Sequence, residues 1–400
     1  MFNFLKNQRD IIIFDIGSQK IGAISFKIVN NKPIIFDMEY QKNNLDESKP
    51  NFLSNNIKKI FQKISKKNEK YAIYCNITDP RVVSKKNKTQ IKAGKLGISK
   101  KDVRKIFKKC VFESKISGKN LLHSYPLNFI IDNKNITDEP LNKYCENLGI
   151  NCFNLFVDKN VVKNLNLNFE KNKLHVKSYF DSGIASSLAF LSDQEKKDGV
   201  LNIDIGARTS KIVAYINKKI VFVKNLQIAG DDVTSDLSQG LQITHDSSER
   251  VKIIHGTLNQ PFNEKIEIDL DSKKKKIISM NLLYGIIRPR YDEILEIIRD
   301  NVFDEINTRV GIKSVVLTGG ASKIYGLKVL CENILNRKTR IGQIENSSSY
   351  FYCKPEFSTL LGMINLIKNQ EYFDIFKSKN DNKLSIFIER LDKWIEESYV

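Results

Sequence analysis

The amino-acid sequence predicts an α/β protein that is built from two similar halves. "IIIFDIGSQKIGAISF", from residue 11, and "VLNIDIGARTSKIVAY", from residue 200, each read as an apolar strand, an Asp-Ile-Gly turn and a second apolar strand. A third stretch, "SVVLTGGASKIYGLKVLCENIL" from residue 314, runs from an apolar strand through Gly319 and Gly320 into an amphipathic helix. The matched pair of hairpins indicates an internal duplication.

The two Asp-Ile-Gly turns have the chemistry of phosphate-binding loops. Gly17 and Gly206 let the backbone approach an anion closely, and neighbouring N–H groups and hydroxyls can donate hydrogen bonds to it. Asp15 and Asp204 stand at the strand ends, where a carboxylate can hold water molecules of a phosphate-bound Mg²⁺ ion. The plainer alternative is two ordinary hairpins that share a common tripeptide, and the two matched contexts favour the phosphate loop.

The third stretch suits a nucleotide because its glycines let the backbone pass close to a ligand before the helix begins. The chain has neither the dinucleotide pattern G-x-G-x-x-G nor a G-x-x-x-x-G-K-[ST] loop. We therefore expect that a nucleotide is held between two halves rather than in a P-loop.

The composition limits the class of protein. The chain has 400 residues, of which 41% are hydrophobic, so it can form two or three domains with hydrophobic cores. No apolar run approaches the roughly 18 residues of a membrane-spanning helix, and "MFNFLKNQRD" lacks the layout of a signal peptide. The six cysteines form no C-x-x-C pair, so we expect reduced, mostly structural thiols in a cytosolic protein.

The formal net charge of +19 raises the question of a nucleic-acid partner. The lysines of "NNIKKIFQKISKKNEK" and "DSKKKK" are mixed with Asn and Ile and are not interleaved with stacking aromatic residues. A general lysine bias on solvated faces accounts for them better, so no nucleic-acid partner is expected. Attraction to an anionic membrane remains open.

The last eighteen residues, "KLSIFIERLDKWIEESYV", predict an amphipathic helix that contains the only tryptophan of the chain. Its apolar face carries Leu384, Phe387, Ile388, Leu391, Trp394, Ile395 and Tyr399, and only Ile386 is out of place. The face can dock on the protein itself or lie in a lipid headgroup layer. Three basic against four acidic side chains argue against lipid, whereas the upstream lysines at 368, 377, 379 and 383 favour it.

The two hairpins and the third stretch, in this order, resemble the phosphate 1, phosphate 2 and adenosine motifs of the actin, Hsp70 and sugar-kinase superfamily. Within it, the chain resembles the bacterial cell-division family FtsA. "VVSKKNKTQIKAGKLGISKKDVRKIFKKC" with the following "LLHSYPLNFII", which contains His123, Pro126 and Phe129, resembles the family's extra subdomain, called 1C. "GIASSLAFLSDQEKKDGVLNIDIG", "LQIAGDDVTSDLSQGLQITHDSSERVK" and "RPRYDEILEIIRDNV" resemble further family stretches, and the terminal helix is also a family feature.

This resemblance implies an actin-like fold with two RNase H-like lobes around a nucleotide cleft, an inserted 1C-type subdomain, and ATP with Mg²⁺ as cofactors. It divides the chain into a first lobe (1–84, 1A), the 1C-type subdomain (85–165), a return to the first lobe (166–200), the second lobe 2A (201–227), subdomain 2B (228–305), the rest of 2A with closing elements (306–366), a linker (367–382) and the membrane-targeting helix (383–400).

The resemblance also implies roles for individual residues. The first phosphate loop takes Asp15, Gly17, Ser18, Gln19 and Lys20, the second takes Asp204, Gly206, Ala207, Thr209 and Ser210, and the ribose and base are surrounded by Gly230, Glu249, Lys252, Gly319, Gly320 and Ala321. Mg²⁺ would be held through water by Asp15 and Asp204. The alternative for Glu249 and Lys252 is a solvated pair on one helix face.

The chain also departs from the family pattern. Ala207 and Arg208 replace two loop glycines, Ser210 replaces a threonine, and the adenosine turn is one residue short. Where many relatives have Glu-Pro, this chain has Ser182 and Gly183 after Asp181, so a water-activating carboxylate is unassigned. We therefore expect ATP binding with at most weak ATPase activity.

The function implied is that of an actin-like protein that polymerises with itself and tethers FtsZ filaments to the inner face of the cytoplasmic membrane at the division site. Lipid contacts are expected from Leu384, Phe387, Ile388, Leu391, Trp394 and Ile395. Arg288 and Arg290 are expected to bind the C-terminal tail of FtsZ, with a structural lobe helix as the alternative, and later divisome proteins are further partners. The competing interpretations are a sugar-kinase-like phosphotransferase, which needs a carboxylate base, and a pilus-assembly scaffold similar to PilM.

Overall fold

The computed structural model describes residues 10–30, 32–42, 51–66, 69–93, 97–270, 275–306, 311–343 and 354–369. In chain order, the strands and α-helices are β1 (Asp10–Ile16), β2 (Lys20–Val29), β3 (Lys32–Lys42), α1 (Phe52–Ile64), β4 (Tyr71–Ile77), β5 (Val83–Lys92), α2 (Lys100–Glu113), β6 (Lys119–Ile131), β7 (Asn135–Thr137), β8 (Asn147–Asp158), α3 (Lys159–Glu170), β9 (Val176–Asp181), α4 (Ser182–Phe190), α5 (Asp193–Asp198), β10 (Val200–Ile205), β11 (Ser210–Ile216), β12 (Lys219–Leu226), α6 (Gly230–Leu241), α7 (His245–His255), β13 (Lys265–Asp269), β14 (Lys275–Ser279), α8 (Met280–Ile306), β15 (Ser314–Thr318), α9 (Leu327–Leu335), β16 (Lys338–Ile341) and α10 (Ser358–Asn369).

The chain forms two compact units. Unit 1 comprises Met1–Leu188 with Thr359–Val400, and unit 2 comprises Ala189–Ser358. The division precedes helix α5, whereas the sequence predicts a boundary after residue 200. Helix α5 lies with unit 2 because the turn of hairpin β11–β12 donates hydrogen bonds to it, from the N–H of Lys218 to the carbonyl of Lys196 at 2.8 Å.

Each unit contains a five-stranded sheet of the same topology. The order is β3-β2-β1-β4-β9 in unit 1 and β12-β11-β10-β15-β16 in unit 2. In both, the first three strands are antiparallel and the last two continue in parallel with the central strand. The internal duplication that the sequence predicts is therefore confirmed.

The central strands are buried on both faces, as expected where helices cover a sheet on either side. In β1, Ile12, Ile13 and Phe14 are fully buried. Strand β10, "VLNIDI", is buried at every position. This burial fixes the strands that carry Asp15 and Asp204, and hence the turns that follow them.

A separate antiparallel sheet is inserted between β4 and β9 of unit 1. Its order is β5-β8-β6-β7, and helix α2 packs on it around a core that includes Ile106 and Phe129. Ser99 and Asp102 cap α2 reciprocally, since each backbone N–H donates to the other side chain. These strands run from Val83 to Asp158, so they begin two residues before the stretch 85–165 that the sequence assigns to the 1C-type subdomain and otherwise lie within it.

In unit 2, four helices and the hairpin β13–β14 share one core with the sheet. Leu237 of α6, Val251 of α7, Ile294 of α8 and Leu330 of α9 are all buried in it. Helices α6 and α7 therefore have a fixed position beside hairpin β10–β11. Within the described ranges, no helix combines the length and the apolar character needed to cross a membrane.

Candidate nucleotide-binding site

The two predicted phosphate loops have the same backbone arrangement. The N–H of Gly17 donates to the carbonyl of Lys20 at 2.9 Å, and the N–H of Gly206 donates to the carbonyl of Thr209 at 3.0 Å. The strand registers also agree, because Asp15 pairs with Gly22 and Asp204 pairs with Lys211. The two turns therefore place their aspartates equivalently at the ends of β1 and β10.

Both loop glycines leave little room for a side chain. A Cβ atom at Gly17 would lie 3.0 Å from the Lys20 carbonyl oxygen, and one at Gly206 would lie 3.0 Å from the Thr209 carbonyl oxygen. A larger residue would have to displace backbone in each case. The tight, narrow backbone is what a loop needs if a phosphate is to come close to its N–H groups.

Asp15 lies beside a neutral partner. The side-chain amide of Asn76, on β4, donates to its Oδ1 at 2.6 Å, while the Asn76 Oδ1 accepts from the N–H of Ile16 at 2.7 Å. Asn76 thereby fixes the end of β1 without neutralising the carboxylate. Asp15 is half-buried and fits the predicted role of holding water molecules of a metal ion.

Asp204 lies beside a cation. The ammonium of Lys211 is 3.0 Å from its Oδ1, and its Oδ2 accepts from the hydroxyls of Ser358 at 2.9 Å and Thr318 at 3.3 Å. Asp204 is 2% exposed and Lys211 is 8% exposed. The two aspartates, equivalent in the backbone, therefore differ in electrostatic surroundings.

The second loop is attached to the N-terminus of α6. The carbonyl of Gly206 accepts from the N–H of Gly230 at 3.2 Å, and the carbonyl of Ala207 accepts from the N–H of Asp231 at 2.7 Å. Arg208, at the tip of the loop, lies 3.4 Å from the Asp231 carboxylate. Arg208 is thus oriented along the protein surface and half-exposed. The hydroxyl of Ser210 donates to the carbonyl of Ile228 at 2.6 Å. It would have to break this hydrogen bond to donate to a phosphate.

Residues from all three predicted motifs of unit 2 converge at Gly230. A Cβ atom there would lie 2.9 Å from the Cβ of Ala321, 3.2 Å from the carbonyl oxygen of Gly206 and 3.5 Å from the Nζ of Lys252. The second phosphate loop, the adenosine turn and helix α7 therefore meet at the first residue of α6. Only glycine fits there without displacing them.

Glu249 and Lys252 form part of this cluster rather than a solvated pair. Lys252 is 9% exposed, and its Nζ donates to Glu249 at 2.6 Å, to the Thr234 hydroxyl at 2.7 Å and to the Gly230 carbonyl at 2.7 Å. The Thr234 hydroxyl also donates to the Glu249 carboxylate. A fixed carboxylate is a suitable acceptor for ribose hydroxyls, which is the predicted role of Glu249.

The adenosine turn begins at Gly319, directly after β15. Gly319 has φ +89°, and a Cβ atom there would lie 2.3 Å from the carbonyl oxygen of Ile205. Gly320 and Ala321 continue in a short 3-10 helix, and the carbonyl of Ala321 accepts from the hydroxyl of Tyr291 at 2.9 Å. Burial raises the pKa of Tyr291, so it stays a neutral donor that fixes this turn.

Asp181 precedes Ser182 and Gly183, where many relatives have Glu-Pro. Its side chain caps helix α4. Its Oδ1 accepts from the N–H of Ile184 at 2.8 Å in the first turn of α4, and its own N–H donates to His123 at 2.9 Å. It is 1% exposed. A water-activating role for it has no support in this geometry, and the catalytic carboxylate remains unassigned.

Arg288 and Arg290 flank Pro289 in helix α8 and both have acidic partners within unit 2. Arg288 contacts Asp292 at 2.9 Å and also donates to the carbonyl of Leu258 at 2.8 Å. Arg290 makes a two-pronged contact with Asp236, at 2.6 and 2.9 Å. Binding of an acidic peptide by these arginines would require exchange of these partners, and that role stays a prediction.

Sequence reasoning missed several residues of the site. They are Asn76, Lys211, Thr234, Thr318 and Ser358, which contact the predicted carboxylates from other strands and helices. The position of Lys211 could have been predicted from the sequence, because a hairpin with a two-residue turn at Ala207 and Arg208 pairs Lys211 with Asp204. The predicted membrane-binding residues Leu384, Phe387, Ile388, Leu391, Trp394 and Ile395 lie outside the described residues.

The family model and the curated relatives that match this chain carry the same description. The family model described as "Cell division protein FtsA" matches residues 201–362. The FtsA protein of Buchnera aphidicola subsp. Schizaphis graminum is 26% identical over 417 residues, covering 98% of this chain and 99% of the relative. That of Agrobacterium fabrum is 29% identical over 302 residues, covering 73% of this chain and 68% of the relative. That of Escherichia coli is 24% identical over 294 residues, covering 70% of each.

Solved structures show the same fold. The "PilM-PilN type IV pilus biogenesis complex" matches with a TM-score of 0.65 and 16% identity, covering 90% of this chain and 98% of the other. MreB5 of Spiroplasma citri bound to ADP matches with a TM-score of 0.54 and 13% identity. The match covers 90% of this chain and 98% of the MreB5 chain. At these identities the likeness establishes an actin-like fold and nothing finer. The family model and the curated relatives show that the chain is similar to FtsA cell-division proteins.

Proposed function

We propose that this protein binds ATP, polymerises, and tethers FtsZ filaments to the inner face of the cytoplasmic membrane at the division site, where it recruits later divisome proteins. The observation that carries the nucleotide part is the pair of matched loops, each with a glycine whose Cβ would lie 3.0 Å from a carbonyl oxygen. Similarity to FtsA proteins supports the division part.

In this proposal both phosphate loops serve one nucleotide. The backbone N–H groups after Gly17 and Gly206 bind phosphate oxygens, Asp15 holds water of a bound Mg²⁺, and Glu249, fixed by Lys252, accepts from the ribose hydroxyls. The nucleotide supplies binding energy that differs between conformations and so controls assembly. Because Asp181 caps α4, any ATPase activity is expected to be weak.

The membrane part of the proposal rests on the terminal amphipathic sequence, residues 383–400. Its apolar stripe, with Trp394 near the end, suits insertion at the level of the lipid headgroups. The FtsZ tail is proposed to bind near Arg288 and Arg290, where it would compete with Asp292 and Asp236 for the guanidinium groups.

The test is co-sedimentation of the full-length protein and purified FtsZ with vesicles that contain anionic lipid, in the presence of ATP and Mg²⁺. We expect FtsZ to pellet only with the full-length protein and not with a version that ends at Asn382. Trp394→Glu should also abolish pelleting, because it places a charge in the apolar stripe. Ile386→Glu is the matched control, since Ile386 lies off that stripe.

Loss of pelleting with the truncated protein and with Trp394→Glu, but not with Ile386→Glu, would support the tether. Pelleting that is equal for all versions would remove the terminal helix from the proposal. If the protein binds vesicles but FtsZ stays in the supernatant, the FtsZ part fails while the membrane part stands.

A further inference from the structure

The ion pair between Lys211 and Asp204 is the feature of the site that the proposed function leaves unused. Lys211 lies on β11 directly opposite Asp204 on β10, and its ammonium is 3.0 Å from the carboxylate. Both side chains are nearly inaccessible, at 10% and 3% exposure. Burying two charges has a large desolvation cost, so the pair is a specific feature of this strand end rather than a surface accident.

Asp204 does not fit the metal-binding role that the sequence predicts for it. One of its oxygens is held by the Lys211 ammonium, and the other accepts from Ser358 and Thr318. A carboxylate that holds metal-bound water must offer its oxygens to that water. A fixed positive charge at 3.0 Å also repels a divalent cation. Asp15, in the first hairpin, accepts a hydrogen bond from the neutral amide of Asn76.

The ammonium of Lys211 lies against the second phosphate loop. A Cβ atom at Gly206 would be 3.7 Å from Lys211 Nζ. The equivalent position of the first hairpin is Gly22, where a Cβ atom would instead meet the side chain of Leu360 at 3.1 Å. The position that holds Lys211 beside the second loop is therefore occupied by a glycine beside the first.

We infer that Lys211 is a phosphate-binding residue that supplies at the second loop the positive charge that a divalent metal ion would otherwise supply there. Lysine is a common phosphate ligand that acts as a point charge, and Asp204 holds its flexible side chain in place. This inference rests on the proposed nucleotide binding. It implies that ATP binding depends less on Mg²⁺ than it would without Lys211, while Mg²⁺ held through Asp15 makes a smaller contribution.

The experiment is a calorimetric titration of the full-length protein with ATP, once with Mg²⁺ and once with EDTA. For the native protein, the Kd in EDTA should be within about fivefold of the Kd in Mg²⁺. Lys211→Gln should weaken binding in EDTA by at least about tenfold, and Mg²⁺ should restore part of it because Asp204 is then open to metal-bound water. Lys328→Gln, an exposed lysine on α9, is the matched control and should behave as the native protein.

Different outcomes overturn different claims. If native binding falls more than about fiftyfold in EDTA, or if Lys211→Gln binds as the native protein does in EDTA, this inference is wrong while the proposed nucleotide binding stands. If the native protein binds ATP in neither buffer, both are wrong. Should Lys211→Gln alone melt at a much lower temperature, the variant with Asp204→Asn and Lys211→Gln removes both charges. It should bind about tenfold more weakly in EDTA than the native protein, and native-like binding by it would equally overturn the inference.

Discussion

Hairpins β1–β2 of unit 1 and β10–β11 of unit 2 have the same register and the same glycine hydrogen bond, yet different side chains surround their aspartates. Asp15 has a glycine opposite it and the amide of Asn76 beside it, whereas Asp204 has Lys211 opposite and two hydroxyls beside it. The backbone of the repeat is thus maintained, while the side chains that contact the two aspartates are not.

The strands next to the two hairpins also differ. In unit 1, β4 continues to Ile77, which pairs with Asp181 on β9. In unit 2, β15 ends at Thr318, and Gly319 turns the chain with a positive φ. The turn brings Gly320 and Ala321 to the N-terminus of α6. The predicted adenosine turn therefore has no equivalent directly after Asn76 of β4.

The largest change in the free energy of unfolding is expected for a substitution at Gly319, the first residue of the turn after β15. Gly319→Ala should lower the free energy of unfolding by about 4 kcal/mol, because the new Cβ would collide with the Ile205 carbonyl in a conformation that disfavours side chains. Urea denaturation measures the change. Gly320→Ala is the control, since its Cβ would lie 3.9 Å from the nearest atom and should change stability by less than about 0.5 kcal/mol. Equal effects of the two substitutions would show that the turn is not constrained as described.

The next largest change in stability is expected for substitution of Asp204, and the matched substitution of Asp15 should have a smaller effect. Asp204→Asn should destabilise the protein by about 3 kcal/mol, because it leaves the buried ammonium of Lys211 without a counter-charge. Asp15→Asn should cost only about 1 kcal/mol, because the side-chain oxygen of asparagine can still accept the hydrogen bond from Asn76. Adding Lys211→Gln to Asp204→Asn should restore at least half of the loss in urea denaturation. A larger loss of stability for Asp15→Asn than for Asp204→Asn would contradict the described difference between the two hairpins.

A smaller effect concerns helix α5, which packs in unit 2. Arg340 on β16 contacts the Glu195 carboxylate through two hydrogen bonds, at 2.7 and 2.8 Å. Burial acts to raise the pKa of Glu195, but the hydrogen bonds and charge of Arg340, together with hydrogen bonds from Ser192, lower it below the ordinary 4.5. Because the pair is partly exposed, Arg340→Met should cost only about 1 kcal/mol.

The cost of Arg340→Met should depend on pH. A carboxyl group whose pKa is lower in the folded state stabilises the fold above its unfolded pKa and loses this contribution as the pH falls through the folded pKa. The difference between native protein and variant should therefore be full at neutral pH and shrink below about pH 4. Urea denaturation at several pH values tests this. Arg299→Met, at an exposed arginine paired with its neighbour Asp300, should show a negligible difference at every pH.

The sequence was sufficient to predict the parts of the molecule that depend on local pattern. The apolar runs around Asp15 and Asp204, the glycines of the turns and the strand-to-helix transition at Gly319 are visible in single segments. The contacts that distinguish the loops were not predicted, because they join distant segments. Ser358 reaches Asp204, and Asn76 reaches Asp15, only through the order of strands in each sheet.

Helix α7 shows the same limit on a smaller scale. The spacing of Glu249 and Lys252 predicts a pair on one helix face but allows both a solvated pair and a binding pair. The structure rules out a solvated pair, because α6 brings Thr234 and Gly230 to the same ammonium. The sequence of α7 alone does not specify this packing between helices, and the binding role stays a prediction.

The most direct test of the account is an ATP titration that measures stoichiometry and affinity for the native protein, Gly17→Ala and Gly206→Ala. Each alanine places a Cβ 3.0 Å from a carbonyl oxygen of its own loop. If both loops serve one nucleotide, the native protein binds one ATP per chain, and each substitution weakens binding by about tenfold, or 1.4 kcal/mol. Binding of two ATP molecules per chain, or full affinity in either variant, would contradict the account.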